Sequence, residues 1–295
     1  MMRSVAIRPA SLRIRWSPYE LERYLSRRVP RQPHRCAARS RAPVKVLVTA
    51  GAGGIGLAIA RAFAADGAQV YVVDIDEAAL AALAKESPGI RCGRCDLSDR
   101  AAIERMVPEA VKVLGGLDVL VNNAGIGGPT GPVEDMDPDD WEAVMAINLN
   151  CTFNVTRLAI PHLKKSNSAS IIIMSSAAGR FGYANRSAYS TSKWGLIGFT
   201  KTLAMELGGY GIRVNAILPG AVAGPRMERV LAGRARISGR TLEQERVAAM
   251  AMQSIKTFVE ATDVANLAVF LASAAGKAIS GQTLPIDNDT FTTAS

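Results

Sequence analysis

Histidine and cysteine are scarce in this chain, with two His and four Cys in 295 residues. His34 and His162 have no metal-ligand spacing. The cysteines, Cys36, Cys92, Cys95 and Cys151, contain one C-x-x-C pair, Cys92-Gly-Arg-Cys95. A structural zinc site of that kind needs a second pair, so no metal is expected. The pair lies in a short strand-like stretch ahead of Asp96. It reads as two reduced packing cysteines in preference to a redox half-site. No apolar run approaches the ~18 residues that cross a membrane. No signal-peptide apolar core is visible either, so a reducing cytoplasm is the default compartment. Aromatics make up only 5% of the chain, and Trp141, Trp194 and Phe199 fall on helical patterns where packing accounts for them.

Acidic residues are what the first 42 positions lack. They hold eleven Arg, no Lys, and only Glu20 and Glu22, which accounts for the whole formal charge of +9. The rest of the chain balances, so it has no global attraction for a polyanion, and a nucleic-acid partner is not expected. Prolines at 9, 18, 30 and 33 interrupt any regular pattern there. Residues 1–42 are expected to be a poorly ordered extension, either a targeting segment or the product of a start placed too far upstream.

From Val44 apolar strands alternate with amphipathic helices: VKVLVTA, then IGLAIARAFAADGA, QVYVVDID, EAALAALAKES, IRCGRCDL, AAIERMVPEAVKVLG and LDVLVNNAG. The alternation continues through one long helix over 141–165, the strand ASIIIMSS, a second long helix over 188–208 and the strand IRVNAILPG. Fully apolar strands alternating with helices predict a doubly wound parallel sheet with helices on both faces, as a single α/β domain over 43–295.

The stretch TAGAGGIG, Thr49 to Gly56, puts four glycines in six positions between the first strand and the first helix. Gly51-x-Gly53-x-x-Gly56 has the spacing that lets a pyrophosphate approach the helix N-terminus, where free N–H groups and the helix dipole favour an anion. Asp74 ends the second strand. A carboxylate there accepts hydrogen bonds from a ribose 2′-OH and repels a 2′-phosphate, which favours NAD; the alternative is a solvated strand end.

Together with Asn122-Asn123-Ala124-Gly125, Ser176 and Tyr189-x-x-x-Lys193, these motifs resemble the short-chain dehydrogenase/reductase family, in its short single-domain branch, over about residues 44–289. The resemblance implies a Rossmann-type fold and a catalytic tetrad of Asn148, Ser176, Tyr189 and Lys193. It implies cofactor contacts from Gly51, Gly53, Gly54, Ile55, Gly56, Asp74, Asp96, Leu97, Asn123, Ala124, Gly125, Tyr189, Lys193, Pro219, Gly220 and Val222. It also suggests a homotetramer with the two long helices as one interface. Three positions depart from the family pattern. Ala50 stands at its first glycine, which requires negative φ there. Gly224 replaces a frequent threonine, and Asp287-Asn288-Asp289 replaces a terminal D-G-G.

Tyr189 and Lys193 are four apart on a helix and share a face. An ammonium beside a phenol stabilises the phenolate, so the tyrosine can serve as general acid or base. Ser176 would bond the substrate oxygen, and by resemblance Asn148 would hold a water that passes protons to Lys193. The substrate pocket is expected from Arg180, Phe181, Tyr183 and Asn185 and from a lid over 222–254. The lid arginines, 226, 229, 234, 236, 240 and 246, read as a solvated helical face; the alternative is that one or two reach an acidic group on the substrate. The expected activity is NAD-dependent hydride transfer on a secondary alcohol or ketone. The other readings are a 3-oxoacyl-thioester reductase and a non-catalytic dinucleotide sensor.

Overall fold

The computed structural model describes residues 42–291. The expectation for residues 1–42 therefore lies outside the described residues except at Ala42, as do His34 and Cys36. Seven strands, β1 (Lys45–Thr49), β2 (Gln69–Asp74), β3 (Arg91–Arg94), β4 (Val119–Asn122), β5 (Ser170–Met174), β6 (Arg213–Pro219) and β7 (Thr283–Ile286), form one parallel sheet in the order β3-β2-β1-β4-β5-β6-β7.

The apolar runs are explained by burial on both faces. Successive residues of β1 face opposite layers. Leu47 lies in the same core cluster as Ile103, Val155 and Leu196, while Val46 and Val48 lie in the other with Ile59, Leu83 and Val264. The first layer is supplied by α3 (Arg100–Leu114), α5 (Cys151–Leu163) and α6 (Ser187–Leu207). The second comes from α1 (Gly54–Ala65), α2 (Glu77–Glu86) and α9 (Ala261–Ala272). Side-chain caps fix helix starts locally: Asp76 accepts from Ala79 N at 3.0 Å and Asp99 from Ala101 N at 2.8 Å.

Three features differ from the pattern read along the chain. The long helix expected over 141–165 is α4 (Pro138–Met145) joined to α5 through a π-helical turn, Ala146–Asn150. The lid folds as two helices, α7 (Pro225–Ser238) and α8 (Leu242–Ala251), the latter opened by a Thr241–Gln244 capping box. The helix α9 occupies a stretch to which the sequence reading assigned no element.

The strand order reverses between β1 and β4. Loops leaving their C-terminal ends therefore diverge, and a crevice opens between them. The three described cysteines are free. Burial pushes the Cys95 thiol up to about 11 and Cys151 up to about 12, so both stay protonated and act as packing groups. Among the described residues no three His, Cys, Asp or Glu side chains converge on a metal-sized site, and no helix is long and apolar enough to cross a membrane.

Candidate active site

The four glycines of the turn do two different jobs. A Cβ on Gly56 would lie 2.2 Å from the Ala50 carbonyl oxygen and 2.5 Å from Asn123 Nδ2, and one on Gly51 would lie 2.9 Å from Val72. Those two let the turn pack against the sheet. Gly53 and Gly54 have nothing within 4 Å of such a Cβ, line the crevice, and leave the start of α1 open to an anion.

Ala50 corrects one expectation: its φ is +49°, not negative. An L-residue there carries roughly 1–2 kcal/mol of strain. The neighbouring strand holds it in place. Asn123 Nδ2 donates to the carbonyls of Thr49 (3.1 Å) and Ala50 (2.9 Å), and Thr49 Oγ1 accepts from Asn123 N (2.9 Å) and Ala124 N (3.1 Å). Thr49 opens the quoted glycine stretch, but its place in the motif does not reveal this bracing role. The other departures also have backbone reasons. Gly224 sits at φ 131°, which a threonine rarely adopts, and Asn288 and Asp289 sit at φ 55° and 56°, where Asn and Asp are the non-glycine residues best tolerated.

Asp74 is not a free strand end. Its Oδ2 accepts from Ala52 N in the glycine turn at 3.0 Å, and its Oδ1 accepts from Ile75 N at 2.8 Å and Asp76 N at 3.2 Å. Each carboxylate oxygen has two lone pairs, so Oδ2 keeps one for a further donor. A cavity of about 360 Å³ runs from Gly53, Gly54 and Ile55 past Asn123 and Gly125 to Pro219, Gly220 and Val222. Open glycines at a helix start, with the Asp74 carboxylate bonded to the same turn, fit the pyrophosphate and ribose of a dinucleotide. Asp74, Asp96 and Leu97 do not line the cavity. The Asp96 carboxylate accepts from Ser98 N (2.9 Å) and Oγ (2.6 Å), bonds that hold its pKa below the usual range, and Leu97 is core. Gly51, Gly56 and Ala124 act from behind the lining.

Ser176, Tyr189 and Lys193 all line the cavity. Ser176 leaves β5 as the N-cap of a short 3₁₀ turn, and Tyr189 and Lys193 lie on the first turns of α6. The Lys193 ammonium donates to Met174 O at 2.8 Å, and burial brings its pKa down to about 8. Burial alone would raise the Tyr189 phenol. Arg226, then Lys193, a hydrogen bond with Ser176 and finally Arg186 outweigh it and bring the phenol down to about 8. Gly125 makes the approach possible, since a Cβ there would meet Asn148 Oδ1 at 3.2 Å and Lys193 Nζ at 3.3 Å.

Asn148 is fully buried in the π turn and does not reach the cavity lining. Its Oδ1 accepts from Ile126 N (2.7 Å), and its Nδ2 donates to Ile126 O (3.1 Å) and Ser192 Oγ (3.0 Å). Both amide N–H groups are used, while Oδ1 keeps one lone pair to which a relay water could donate. Its three bonds also tie α4–α5 to the exit of β4 and to α6.

The substrate end departs furthest from expectation. Of Arg180, Phe181, Tyr183 and Asn185, only Tyr183 lines the cavity. Arg180 donates to Thr290 O at 3.0 Å and stands 4.0 Å from Asp287, and Asn185 is a left-handed turn residue at φ 59°. Arg186, absent from the sequence reading, does line the cavity, and it is 4% exposed. The lid does not present only a solvated face. Arg226 and Arg234 line the cavity too, while Arg246 pairs with Glu228 at 2.8 Å.

The family model described as enoyl-(acyl carrier protein) reductase matches residues 49–288. The D-beta-hydroxybutyrate dehydrogenase of Cupriavidus necator is 40% identical over 240 residues, 80% of this chain and 93% of that protein. The 3-oxoacyl-[acyl-carrier-protein] reductase of Thermotoga maritima is 37% identical over 246 residues, 82% and 95% of the two chains. Among solved structures, NAD+-bound xylitol dehydrogenase superposes with a TM-score of 0.78 at 30% identity, over 82% of this chain and 96% of that one. An actinorhodin polyketide ketoreductase with NADPH superposes with a TM-score of 0.80, also at 30% identity, over 83% and 96%.

Proposed function

The chain belongs to the short-chain dehydrogenase/reductase family, and from that premise we propose an oxidoreductase that prefers NAD and acts on a secondary alcohol or ketone through Tyr189. The observation that carries the reading is the phenol of Tyr189, brought down to about 8 among Arg226, Lys193 and Ser176 in the crevice that opens at the glycine turn. A phenol near neutrality can both give and take a proton at working pH.

Bound nicotinamide would supply or accept the hydride. Tyr189 gives its proton to the carbonyl oxygen in reduction and takes the hydroxyl proton in oxidation. Ser176 Oγ donates to the same substrate oxygen where charge develops. Lys193 keeps the phenolate stable and is buried enough to hold its position. Gly53, Gly54 and Ile55 would take the pyrophosphate, and Asp74 the ribose hydroxyls.

Asp74 supports NAD over NADP because its carboxylate, fixed beside the glycine turn, would repel a 2′-phosphate. Steady-state kinetics with both cofactors and a panel of secondary alcohols tests this. A higher kcat/KM with NADP would refute the preference, and Asp74→Ala is expected to narrow it. A homotetramer would cover Phe153, Trp194 and Met205, which are exposed on α5 and α6; sedimentation velocity reads it directly. The cytoplasm suits a chain whose described cysteines are all free.

A further inference from the structure

Three guanidinium groups gather at the substrate end of the cavity. The Cζ atoms of Arg226 and Arg186 lie 5.6 and 5.2 Å from the centre of the Tyr189 ring. Those of Arg186 and Arg234 lie 5.5 and 5.3 Å from the Tyr183 ring. They come from distant parts of the chain, Arg186 from the start of α6 and the other two from α7.

No carboxylate lines the cavity, and among the described residues none of the three forms an ion pair. Their partners are neutral. Arg226 donates to Gly125 O at 3.1 Å, Arg186 to Gly127 O at 2.7 Å, and Arg234 to the Tyr183 hydroxyl. Arg186 is nearly fully buried, yet its Nε–H has no hydrogen-bond partner. Buried guanidinium groups are normally paired. Cation–π contacts with tyrosines compensate only in part, at roughly 0.5–1 kcal/mol where exposed. A concave site that concentrates positive charge and offers forked donors is complementary to a carboxylate.

We propose that this enzyme's substrate is a short hydroxy or oxo acid whose carboxylate is held by Arg226, Arg234 and Arg186, within a few bonds of the carbon that reacts at Tyr189. The inference rests on the oxidoreductase reading above and adds the substrate class to it. The lid contributes two of the three cations, so an anionic substrate also draws α7 onto the site. Met227, Val230 and Met252 line the same cavity, and their apolar side chains suit a short alkyl chain.

The test compares 2-hydroxybutyrate, 3-hydroxybutyrate and 4-hydroxypentanoate with their primary amides, using the full chain and NAD. The best acid is expected to exceed its amide in kcat/KM by about tenfold to a hundredfold, the range of one charge-assisted hydrogen bond. In Arg226→Gln and in Arg234→Gln that ratio falls toward unity. Taking the ratio within each variant cancels any change in the acid–base step. A thermal-shift arm adds butyrate or butyramide to the NAD complex, with stabilisation expected from butyrate alone and lost in the two variants. Stabilisation by butyrate without turnover of any alcohol would sustain the anion site and sink the oxidoreductase reading. Turnover of amides as good as that of acids would do the reverse. A rise in the Kd for NAD in Arg226→Gln, with the acid-to-amide ratio unchanged, would assign that arginine to the cofactor and overturn the proposal.

Discussion

Replacing Arg226 by Gln should move the pH dependence of the reaction toward alkali. Among the groups that lower the Tyr189 pKa to about 8, Arg226 is the largest, ahead of Lys193. With 5.6 Å between Arg226 Cζ and the ring centre as the charge separation, and an effective dielectric between ~20 and ~80, their interaction is about 0.7 to 3 kcal/mol. That corresponds to about half a pH unit to two units. Arg226 is exposed, so screening favours the lower half of the range.

The sign follows from which form reacts. Alcohol oxidation needs the phenolate, so in the wild type its kcat/KM rises with pH through about 8 and then levels. Carbonyl reduction needs the phenol and falls through the same pKa. Removing the arginine raises the pKa, so the oxidation limb moves up and the reduction plateau extends. Lys193, also at about 8, shifts the same way, since Arg226 lowers it as well, and the pair titrates together. Arg186 and the Ser176 hydrogen bond remain in the variant and limit the change. The assay is kcat/KM between about pH 6 and 10.5 in both directions, using a neutral alcohol and its ketone so that loss of charge does not alter substrate binding. An inflection at the same pH in Arg226→Gln would refute the assignment of Arg226 as the main cation acting on Tyr189.

Tyr189→Phe keeps the ring but removes the transferable proton; turnover should fall about a hundredfold or more while the Kd for NAD, read by fluorescence titration, is retained. Gly53 and Gly56 should separate folding from binding. Gly53→Ala meets nothing within 4 Å and has a permitted φ of −150°, so its Tm should hold while NAD affinity drops; Gly56→Ala places a methyl 2.2 Å from Ala50 O and should lower both. We propose that residues 1–41 are dispensable for catalysis, because β1 begins only at Lys45; a chain starting at Ala42 should match the full chain in Tm and kcat/KM, and a loss of several degrees would refute this.

The sequence by itself determined the parallel sheet, the glycine turn and the Tyr189–Lys193 pair. These depend on short-range properties: apolar runs long enough for strands buried on both faces, four glycines where a strand meets a helix, and a four-residue helical spacing. Only the tertiary structure decided the rest. Ala50 takes positive φ because Asn123, 73 positions away, bonds its carbonyl. The Asn148 amide bonds Ile126 and Ser192 because a π turn and α6 meet there. Arg186 replaces Arg180 in the cavity wall, and Arg226 crosses from the lid to Gly125, 101 positions earlier, only once the sheet order has brought the exits of β4, β5 and β6 together. Spacing along a chain fixes which side chains share a helix face, whereas which distant cations face one tyrosine depends on how the loops pack.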